Sequence, residues 1–379
     1  MKISFVGDLF LGGDLKNQSC ADAIHSDLFE KANYRVINLE QAVSDSNFVE
    51  DKCTLYTGTE AISQLKEMKI DAINLAHNHI QDKGLGGIDE TVAHLQQAGF
   101  NTFGAGKSIK EASYHVEITE NLVLLGYCEF GKPYLKQIEV ATENKPGINP
   151  LRYNKIRADL SKLAPRQKAI LYFHWGMEHV WLPPADDILL AKQLLEDERV
   201  TAIIGMHCHR VQGVIAHNGK KAYMSLGNFL FPNFYINPPT QIAYPSEAEK
   251  QEVKFTTRQY HGVYELTYKK WRWVNRVSRV LSYDTESNKF TSEFVIQKDN
   301  EPKVVPRKGV MLVVFCCWTW LLTLIYKLPM IIYRPLSRLH AFQTYFFWRL
   351  QIRWFHMRQL GLKMFASKIW KKIKEKVSR

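Results

Sequence analysis

The first 230 residues of the chain predict an α/β fold in which helices and strands form layers. Three observations lead to this prediction: short apolar runs alternate with helical patterns, the helical patterns carry apolar stripes, and metal-competent side chains follow the apolar runs. Alternation of strands and helices is typical of folds in which helices cover a largely parallel sheet.

Eight short apolar runs predict the strands of this fold. Each run is three to six residues long, which is the length expected of a buried strand rather than of a helix. The predicted strands cover residues 3–6, 36–39, 72–75, 101–103, 122–127, 169–173, 202–204 and 221–224.

Apolar residues at helical spacing predict helices between these strands. Ile88, Val92 and Leu95 recur at i, i+4 and i+7, and residues 187–195 carry a second stripe of this kind. Residues 57–60 have the Thr-x-x-Glu spacing of a capping box, which predicts that a helix begins there.

Beyond residue 231 the pattern becomes less regular. Residues 232–260 are rich in proline and aromatic side chains and are predicted to form a loop or lid. Residues 262–297 are predicted to form a small β extension of two or three strands. The main domain is therefore expected to span residues 1–300, followed by a linker at 301–308.

The composition excludes several classes of protein. Hydrophobic residues make up 46% and charged residues 23% of the 379 residues, which is typical of a globular protein rather than a disordered one. Six cysteines without a C-x-x-C pair exclude a disulfide scaffold and a zinc ribbon. The thiols are therefore expected to be reduced core residues.

The net charge of +12 is concentrated at the C-terminus. Residues 301–379 contain 16 Lys and Arg against 2 acidic residues, whereas residues 1–300 contain 34 basic and 36 acidic residues. Residues 1–300, called the body from here on, have a net charge near zero. This charge gives no support for binding to nucleic acid, so no nucleic-acid partner is expected.

Residues 309–333 form a hydrophobic segment that is predicted to contact membrane lipid. The 18 residues 309–326 carry no charge and would extend about 27 Å as a helix, which is the short limit for a transmembrane helix. Residues 334–379 interleave aromatic residues with 12 basic residues and one acid, a pattern typical of a basic amphipathic tail at a lipid surface. A buried core helix and RNA binding by the tail are the alternatives.

The expected location is the cytoplasmic face of a membrane. Met1-Lys2 leads directly into a predicted strand, which differs from a secretory signal peptide. A single crossing would export the basic tail against the positive-inside tendency. An interfacial or re-entrant helix pair, broken near Pro329, is therefore favoured over a transmembrane helix.

Side chains that can bind metal follow several of the predicted strands. They are Asp8, Glu40, Asn78, His79, His174, His207 and His209. Because ligands gather beyond the carboxyl ends of strands in α/β folds, these side chains are expected to meet at one edge of the core. The i, i+2 spacing of His207 and His209 would let two imidazoles reach neighbouring metals.

Seven short motifs occur in order within residues 1–231. They are Gly7-Asp8, Asn38-Leu39-Glu40, Asn74-Leu75-Ala76-x-Asn78-His79 with Asp82 and Gly84, Gly104-Ala105-Gly106, His174-Trp175-Gly176-x-Glu178, Gly205-x-His207-x-His209-x-x-Gln212 and Ser225-Leu226-Gly227-Asn228-Phe229. Together they resemble the CapA-type poly-γ-glutamate capsule biosynthesis proteins of the calcineurin-like metallophosphoesterase superfamily. The resemblance implies a four-layer α/β/β/α metallophosphoesterase-like sandwich.

The resemblance implies a first metal site. Asp8 and His209 would bind this metal, and Glu40 would bridge it to a second one. Superfamily phosphatases usually begin with Asp-x-His, but Phe10 occupies the position of that histidine here. The first metal therefore lacks one imidazole. Either this metal binds weakly, or water or another carboxylate such as Asp14 takes the vacant ligand position.

The resemblance also implies a second metal, held by Asn78, His174 and His207 together with the bridging carboxylate. Nitrogen and oxygen ligands suit one or two divalent ions of Mn, Zn or Fe better than Ca. Such ions lower the pKa of a bridging water and stabilise charge on the attacked centre.

Two functions are consistent with these motifs. The first is a metal-dependent hydrolase of an anionic or phosphorylated substrate, in which His79 is the general acid and Asp82 and Glu178 orient neighbouring ligands. The second is a non-catalytic, membrane-bound assembly factor that partners polymer synthase and export proteins. Phe10 favours the second function, and the intact His79 favours the first. Either would contribute to making or exporting an anionic surface polymer.

Overall fold

A computed structural model describes residues 1–132, 137–299 and 301–377. The elements up to residue 174 are β1 (Lys2–Leu9), α1 (Asp27–Glu30), β2 (Tyr34–Leu39), β3 (Ala42–Val43), β4 (Tyr56–Thr57), α2 (Ala61–Glu67), β5 (Ala72–Asn74), α3 (Gly84–Gln97), β6 (Asn101–Phe103), β7 (Ala105–Gly106), α4 (Ile109–Ala112), β8 (Val116–Thr119), β9 (Leu122–Cys128), β10 (Gly147–Ile148), α5 (Tyr153–Leu160) and β11 (Lys168–His174).

The remaining elements include a pair of C-terminal helices. They are α6 (Ala185–Leu195), β12 (Val200–Met206), β13 (Val214–His217), β14 (Lys220–Tyr223), β15 (Asn228–Leu230), β16 (Phe234–Asn237), β17 (Gln241–Ala243), α7 (Glu247–Glu252), β18 (Phe255–Thr257), β19 (Thr267–Lys269), β20 (Val277–Asp284), β21 (Lys289–Gln297), β22 (Val304–Pro306), α8 (Val310–Ile325) and α9 (Met330–Val377). Helix α9 is interrupted at Gly361, whose φ of 72° departs from helical geometry.

Two large sheets organise the fold. The first has the order β22-β21-β20-β1-β2-β5-β6, and β15 also pairs with β1. The second has the order β13-β14-β12-β11-β9-β8. Strands β1, β2, β5 and β6 run parallel to one another, as do β9, β11, β12 and β14. Parallel neighbours end at the same edge of their sheet, so side chains that follow these strands lie close together.

The two sheets face each other across a buried core. Phe5 and Phe103 of the first sheet contact Tyr172 of the second, with ring centroids 6.0 and 5.6 Å apart. A second apolar cluster joins the first sheet to α1, α2 and α3, and a third joins the second sheet to α5, α6, α8 and α9. The predicted mixed α/β fold is confirmed, with helices outside and the inter-sheet core between.

All eight predicted strands coincide with observed ones, namely β1, β2, β5, β6, β9, β11, β12 and β14. The predicted capping box at 57–60 is wrong. Thr57 belongs to β4, and α2 begins at Ala61 after Glu60, without a side-chain cap. The Thr59 hydroxyl instead donates a hydrogen bond to Asp45, which lies in the loop between β3 and β4.

Residues 232–260 do not form the predicted loop or lid. They contain three strands and α7, and with β19 they build a four-stranded sheet of order β17-β16-β19-β18. Phe234 and Ile236 are buried in its apolar cluster. The aromatic residues of this region are therefore core residues of a small sheet.

Residues 262–297 contain three strands, β19, β20 and β21, as the predicted β extension requires. Strand β20 pairs antiparallel with β1, and β21 pairs with β20, so both strands complete the first sheet. The predicted linker at 301–308 contains β22, which pairs with β21. Pairing on this side removes the exposed edge that β1 would otherwise present.

The predicted membrane segment at 309–333 packs against the body on one side. Helix α8 has 16 residues and buries Phe315, Thr319 and Leu322. Tyr326 is also buried, and its hydroxyl donates to the carbonyl oxygen of Trp181 at 2.7 Å. In the described part of the chain we find no helix whose length and apolar character would let it cross a membrane. A spanning helix at 309–333 is therefore not supported.

Two adjacent leucines of α8 test whether this helix packs against the body. Leu322 is 1% exposed and Leu321 is 42% exposed. We expect Leu322→Ala to lower the free energy of unfolding by about 2–5 kcal/mol, because it removes buried methyl groups. Leu321→Ala should change it by less than about 0.5 kcal/mol. Urea unfolding of the full chain measures both, and equal effects would show that α8 does not dock on the body.

Candidate metal centre

The carboxyl ends of β1, β2, β11 and β12 bring the candidate ligands together. Asp8 lies near the end of β1, Glu40 directly follows β2, and His174 is the last residue of β11. His207 and His209 lie in the loop after β12. All five side chains are buried.

The loop after β12 carries its two histidines in unusual backbone conformations. His207 has a φ of 83° and His209 a φ of 55°, in the left-handed region that non-glycine residues rarely adopt. The His207 amide donates to Asp8 Oδ2 at 3.2 Å, which ties the loop to the end of β1. Backbone strain of this kind persists where surrounding contacts hold it, and it is concentrated at functional sites.

Asp8, Glu40 and His209 form the first group of candidate ligands. Their ligand atoms all lie within 4.8 Å of one another. His209 Nδ1 is 3.8 Å from Asp8 Oδ2 and 3.8 Å from Glu40 Oε2. Asn228 Oδ1 lies 2.8 Å from the same His209 nitrogen, so this imidazole is held in place from a second side.

Glu40 also belongs to a second group, with His174 and His207. The ligand atoms of this group lie within 4.8 Å of one another, and His174 Nε2 is 3.6 Å from Glu40 Oε1. Asn78 Oδ1 lies 2.7 Å from His174 Nε2. The structure thus brings four of the predicted ligands, Asp8, His174, His207 and His209, around the shared Glu40 carboxylate, and the sixth, Asn78, contacts His174.

The electrostatics of this cluster are those expected of a cation site. Burial, reinforced by the nearby Asp8, raises the pKa of Glu40 well above its usual range. Burial also raises the pKa of Asp8 to about 7 and lowers the pKa of His207 to about 3. The cluster therefore favours neutral imidazoles beside poorly solvated carboxylates, and a divalent cation would stabilise the ionised carboxylates.

The hydrogen bonding of Glu40 fits the same interpretation. Both of its carboxylate oxygens are buried, and neither has a hydrogen-bond partner among the described residues. Buried polar atoms are nearly always paired, so such oxygens suit metal coordination. The buried His, Glu and Asp groups could hold a metal ion, and their nitrogen and oxygen donors are those of Mn, Zn and Fe sites.

A chain of asparagines orients the Asp8 carboxylate. Asn38 Nδ2 donates to Asp8 Oδ1 at 2.8 Å, and Asn74 Nδ2 donates to Asn38 Oδ1 at 2.7 Å. Both asparagines are fully buried at the ends of β2 and β5. These two hydrogen bonds leave Asp8 Oδ2 free to face the loop after β12, where it accepts from the His207 amide. Residues outside the ligand set therefore fix the geometry of this ligand.

His79 lies beside the cluster and is oriented by Asp82. His79 Nδ1 is 2.6 Å from Asp82 Oδ2, while Lys52 Nζ is 2.7 Å from Asp82 Oδ1. His79 and Asn78 both line a cavity of about 430 Å³ that reaches His209. The His79 imidazole can therefore meet a molecule that enters this cavity.

Three residues discussed from the sequence lie outside the ligand groups. Phe10 packs against Phe231, with ring centroids 5.3 Å apart, so its side chain belongs to an apolar cluster. Asp14 is exposed and accepts a hydrogen bond from Tyr268, so it does not replace the missing imidazole. The Glu178 carboxylate lies 3.7 Å from His179 Nε2, and burial raises its pKa to about 7.

Several residues at the site were not assigned a role from the sequence. Asn38 and Asn228 belong to two of the seven sequence motifs, and that membership could have identified them as site residues. His179 lines the cavity, and its ring centroid is 5.6 Å from that of His209. Trp271 and Trp348 complete the cavity wall. They come from distant parts of the chain, so only the tertiary structure reveals them.

Comparison with known proteins assigns the family. The model of the bacterial capsule synthesis protein family PGA_cap matches residues 2–233. The chain belongs to this family. The matched residues include both ligand groups, so the predicted CapA-type resemblance is confirmed. Helices α8 and α9 lie outside the match.

Three relatives show how far this similarity extends. The PGA biosynthesis protein CapA of Bacillus subtilis is 27% identical over 246 residues, covering 61% of this chain and 63% of the relative. The capsule biosynthesis protein CapA of Bacillus anthracis is 26% identical, covering 61% and 60%. A probable polyglutamine synthesis accessory protein of Mycobacterium tuberculosis is 26% identical, covering 51% and 54%. The chain thus spans less than two thirds of the length of each.

Substituting Glu40 tests whether the cluster binds metal. We expect Mn²⁺ at 100 times its Kd to stabilise the wild-type chain by about 2.7 kcal/mol, seen as a rise in Tm. Glu40→Gln should abolish this rise, because both ligand groups lose their shared carboxylate. Glu196→Gln, at an exposed glutamate, is the matched control and should retain it.

Isothermal titration of chelator-treated protein with Mn²⁺ or Zn²⁺ provides the second measurement. The metal-free Glu40→Gln variant should be at least as stable as the wild type, because it lacks a buried carboxylate without hydrogen bonds. Equal metal affinity in Glu40→Gln and in the wild type would show that metal binds elsewhere.

Proposed function

We propose that the chain is a metal-dependent hydrolase of the phosphoesterase type, acting on an intermediate of an anionic surface polymer. The sharing of Glu40 by two buried ligand groups is the observation that carries this proposal. Two cation positions joined by one carboxylate are the arrangement used to hydrolyse phosphoesters. The names of the relatives, which refer to PGA and capsule biosynthesis, support the assignment to a polymer.

The chain's own residues supply the remaining functions. Bound divalent ions would activate a water and stabilise charge on the attacked centre. Asn38 and the His207 amide hold the Asp8 carboxylate in one orientation. Asp82 fixes the His79 imidazole through Nδ1, which leaves Nε2 to donate a proton to a leaving oxygen.

His79→Asn separates catalysis from metal binding. We expect the variant to retain its bound metal and to lose about 10²- to 10⁴-fold in kcat, because the substitution removes the proton donor and leaves the ligands intact. Hydrolysis of an aryl phosphate with Mn²⁺ measures kcat, and elemental analysis measures metal content. His217→Asn, at a half-buried histidine beside Glu196, is the control. Unchanged turnover in His79→Asn would refute its role as general acid.

A second function is favoured by Phe10. Because this side chain is committed to an apolar cluster, the first ligand group has only two carboxylates and one imidazole. A site with so few ligands suits a non-catalytic assembly factor that binds polymer synthase or export proteins. Wild-type protein that contains no metal and shows no turnover would support this alternative.

We further propose that α8 and α9 rest on a membrane surface without crossing it. Both helices expose large apolar side chains away from the body, including Val310, Val313, Trp320, Ile331, Phe342, Phe346 and Trp354. Arg338, Arg349 and Arg353 are exposed among them. Aromatic and basic side chains on one surface are typical of helices that bind anionic lipid.

Flotation with lipid vesicles tests this surface. We expect the full chain to float with vesicles of phosphatidylcholine and phosphatidylglycerol and to bind pure phosphatidylcholine less. The double variant Trp320→Ser, Phe346→Ser should reduce the bound fraction, because it removes two apolar anchors. Tyr114→Ser removes an equally exposed aromatic residue from the body and should have no effect. Equal binding of all three proteins would exclude the α8–α9 surface as the contact.

A further inference from the structure

A second cavity adjoins the candidate metal centre. Its volume is about 240 Å³, and it lies between residues of the first 300 positions and the inner face of α9. Glu178, His179 and Trp348 line both this cavity and the one that contains His79. The two cavities are therefore neighbours, and one molecule that extends past these three residues would contact both. We call the second one the arginine cavity, after the three arginines that line it: Arg210, Arg258 and Arg272.

The three guanidinium groups of the arginine cavity lack acidic partners. None of them is within 4.0 Å of a carboxylate among the side chains that the structure describes. Arg272 Nη2 donates instead to the neutral side chain of Gln351, at 2.6 Å. Arg258 is exposed, but Arg210 and Arg272 are partly buried, and partly buried guanidinium groups are usually paired. The lack of an acidic partner at Arg210 and Arg272 indicates a site for an anion.

Arg210 packs against a tryptophan within this cavity. Its guanidinium lies over the Trp181 ring at 4.8 Å from the centroid, and its buried Nε has no acceptor among the described residues. Arg258 and Arg272 line the same cavity and bring two further positive charges near Arg210. Because the positive charges of these arginines repel one another, an anion bound between them would offset that repulsion.

The position of Arg210 in the chain links the arginine cavity to the metal centre. Arg210 directly follows His209, which belongs to the first ligand group, and His179 lies between the two cavities. Among the described residues of the cavity wall, Glu178 supplies the only carboxylate, against three guanidinium groups. The cavity therefore has an excess of positive charge.

We propose that the arginine cavity binds an oxyanionic group, a carboxylate or a phosphate, at a distance from the reacting group of the same substrate. This deepens the proposed hydrolase function and rests on it for the identity of the substrate. Guanidinium groups bind planar carboxylates and phosphates through paired N–H donors. Trp181 and Trp348 supply apolar walls for the part of the substrate between its charged groups.

Binding without metal tests the arginine cavity separately from catalysis. Isothermal titration is performed on the full chain in EDTA, with inorganic phosphate and with a tetraglutamate peptide as probes. We expect at least one probe to bind and the double variant Arg258→Gln, Arg272→Gln to weaken its binding about 10-fold or more. Arg258 is exposed and Arg272 is half-buried, so the variant should fold. Circular dichroism verifies this.

The control has the same kind of charge change elsewhere. Arg166→Gln, at an exposed arginine between α5 and β11, should leave the affinity unchanged. Loss of phosphate binding alone would identify a phosphate site, and loss of peptide binding alone a carboxylate site. If neither probe binds the wild type, or the double variant binds as the wild type does, the arginine cavity is not an oxyanion site. This result would leave the hydrolase proposal standing, because that proposal is tested by turnover with metal.

Discussion

The buried Glu40 carboxylate is the constraint on which the candidate site depends. An ionised carboxylate without hydrogen bonds costs several kcal/mol in a protein interior, and Glu40 has neutral imidazoles and Asp8 as its neighbours. Without a cation, burial favours the protonated form of this carboxyl group, which is the direction of its pKa shift. The fold therefore maintains an unfavourable arrangement at this point, and a divalent cation is the ligand that would make it favourable.

The arrangement persists because the surrounding sheet is rigid. Strand β1 is flanked by β2 and β15 near Asp8, and β20 pairs with its first half. Gly205 lies so close to the neighbouring strand that a Cβ atom would be 2.0 Å from the Met224 carbonyl oxygen. A glycine is thus required where β12 ends, and the strained turn with His207 begins from a fixed backbone.

The ligands could be predicted from the sequence because each lies just beyond a strand with a clear apolar pattern. Asp8 and Glu40 meet because the neighbouring parallel strands β1 and β2 end at the same edge of the first sheet. His174 reaches them from the end of β11 in the facing second sheet. The C-terminal helices could not be interpreted in the same way. An apolar run such as 309–326 has a similar composition whether it faces lipid or a protein core, and α8 buries one side in the core. Trp348 likewise reaches the cavity only through the packing of α9.

Helix α9 connects the two proposals about membrane and substrate. Its inner face carries Tyr345 and Trp348 into the arginine cavity, while Phe342 and Phe346 are exposed on its outer side. Residues 342–348 of this helix therefore supply both part of the wall of the arginine cavity and part of the exposed apolar surface. If the outer face rests on lipid as proposed, the same contact would hold this part of the cavity wall in place.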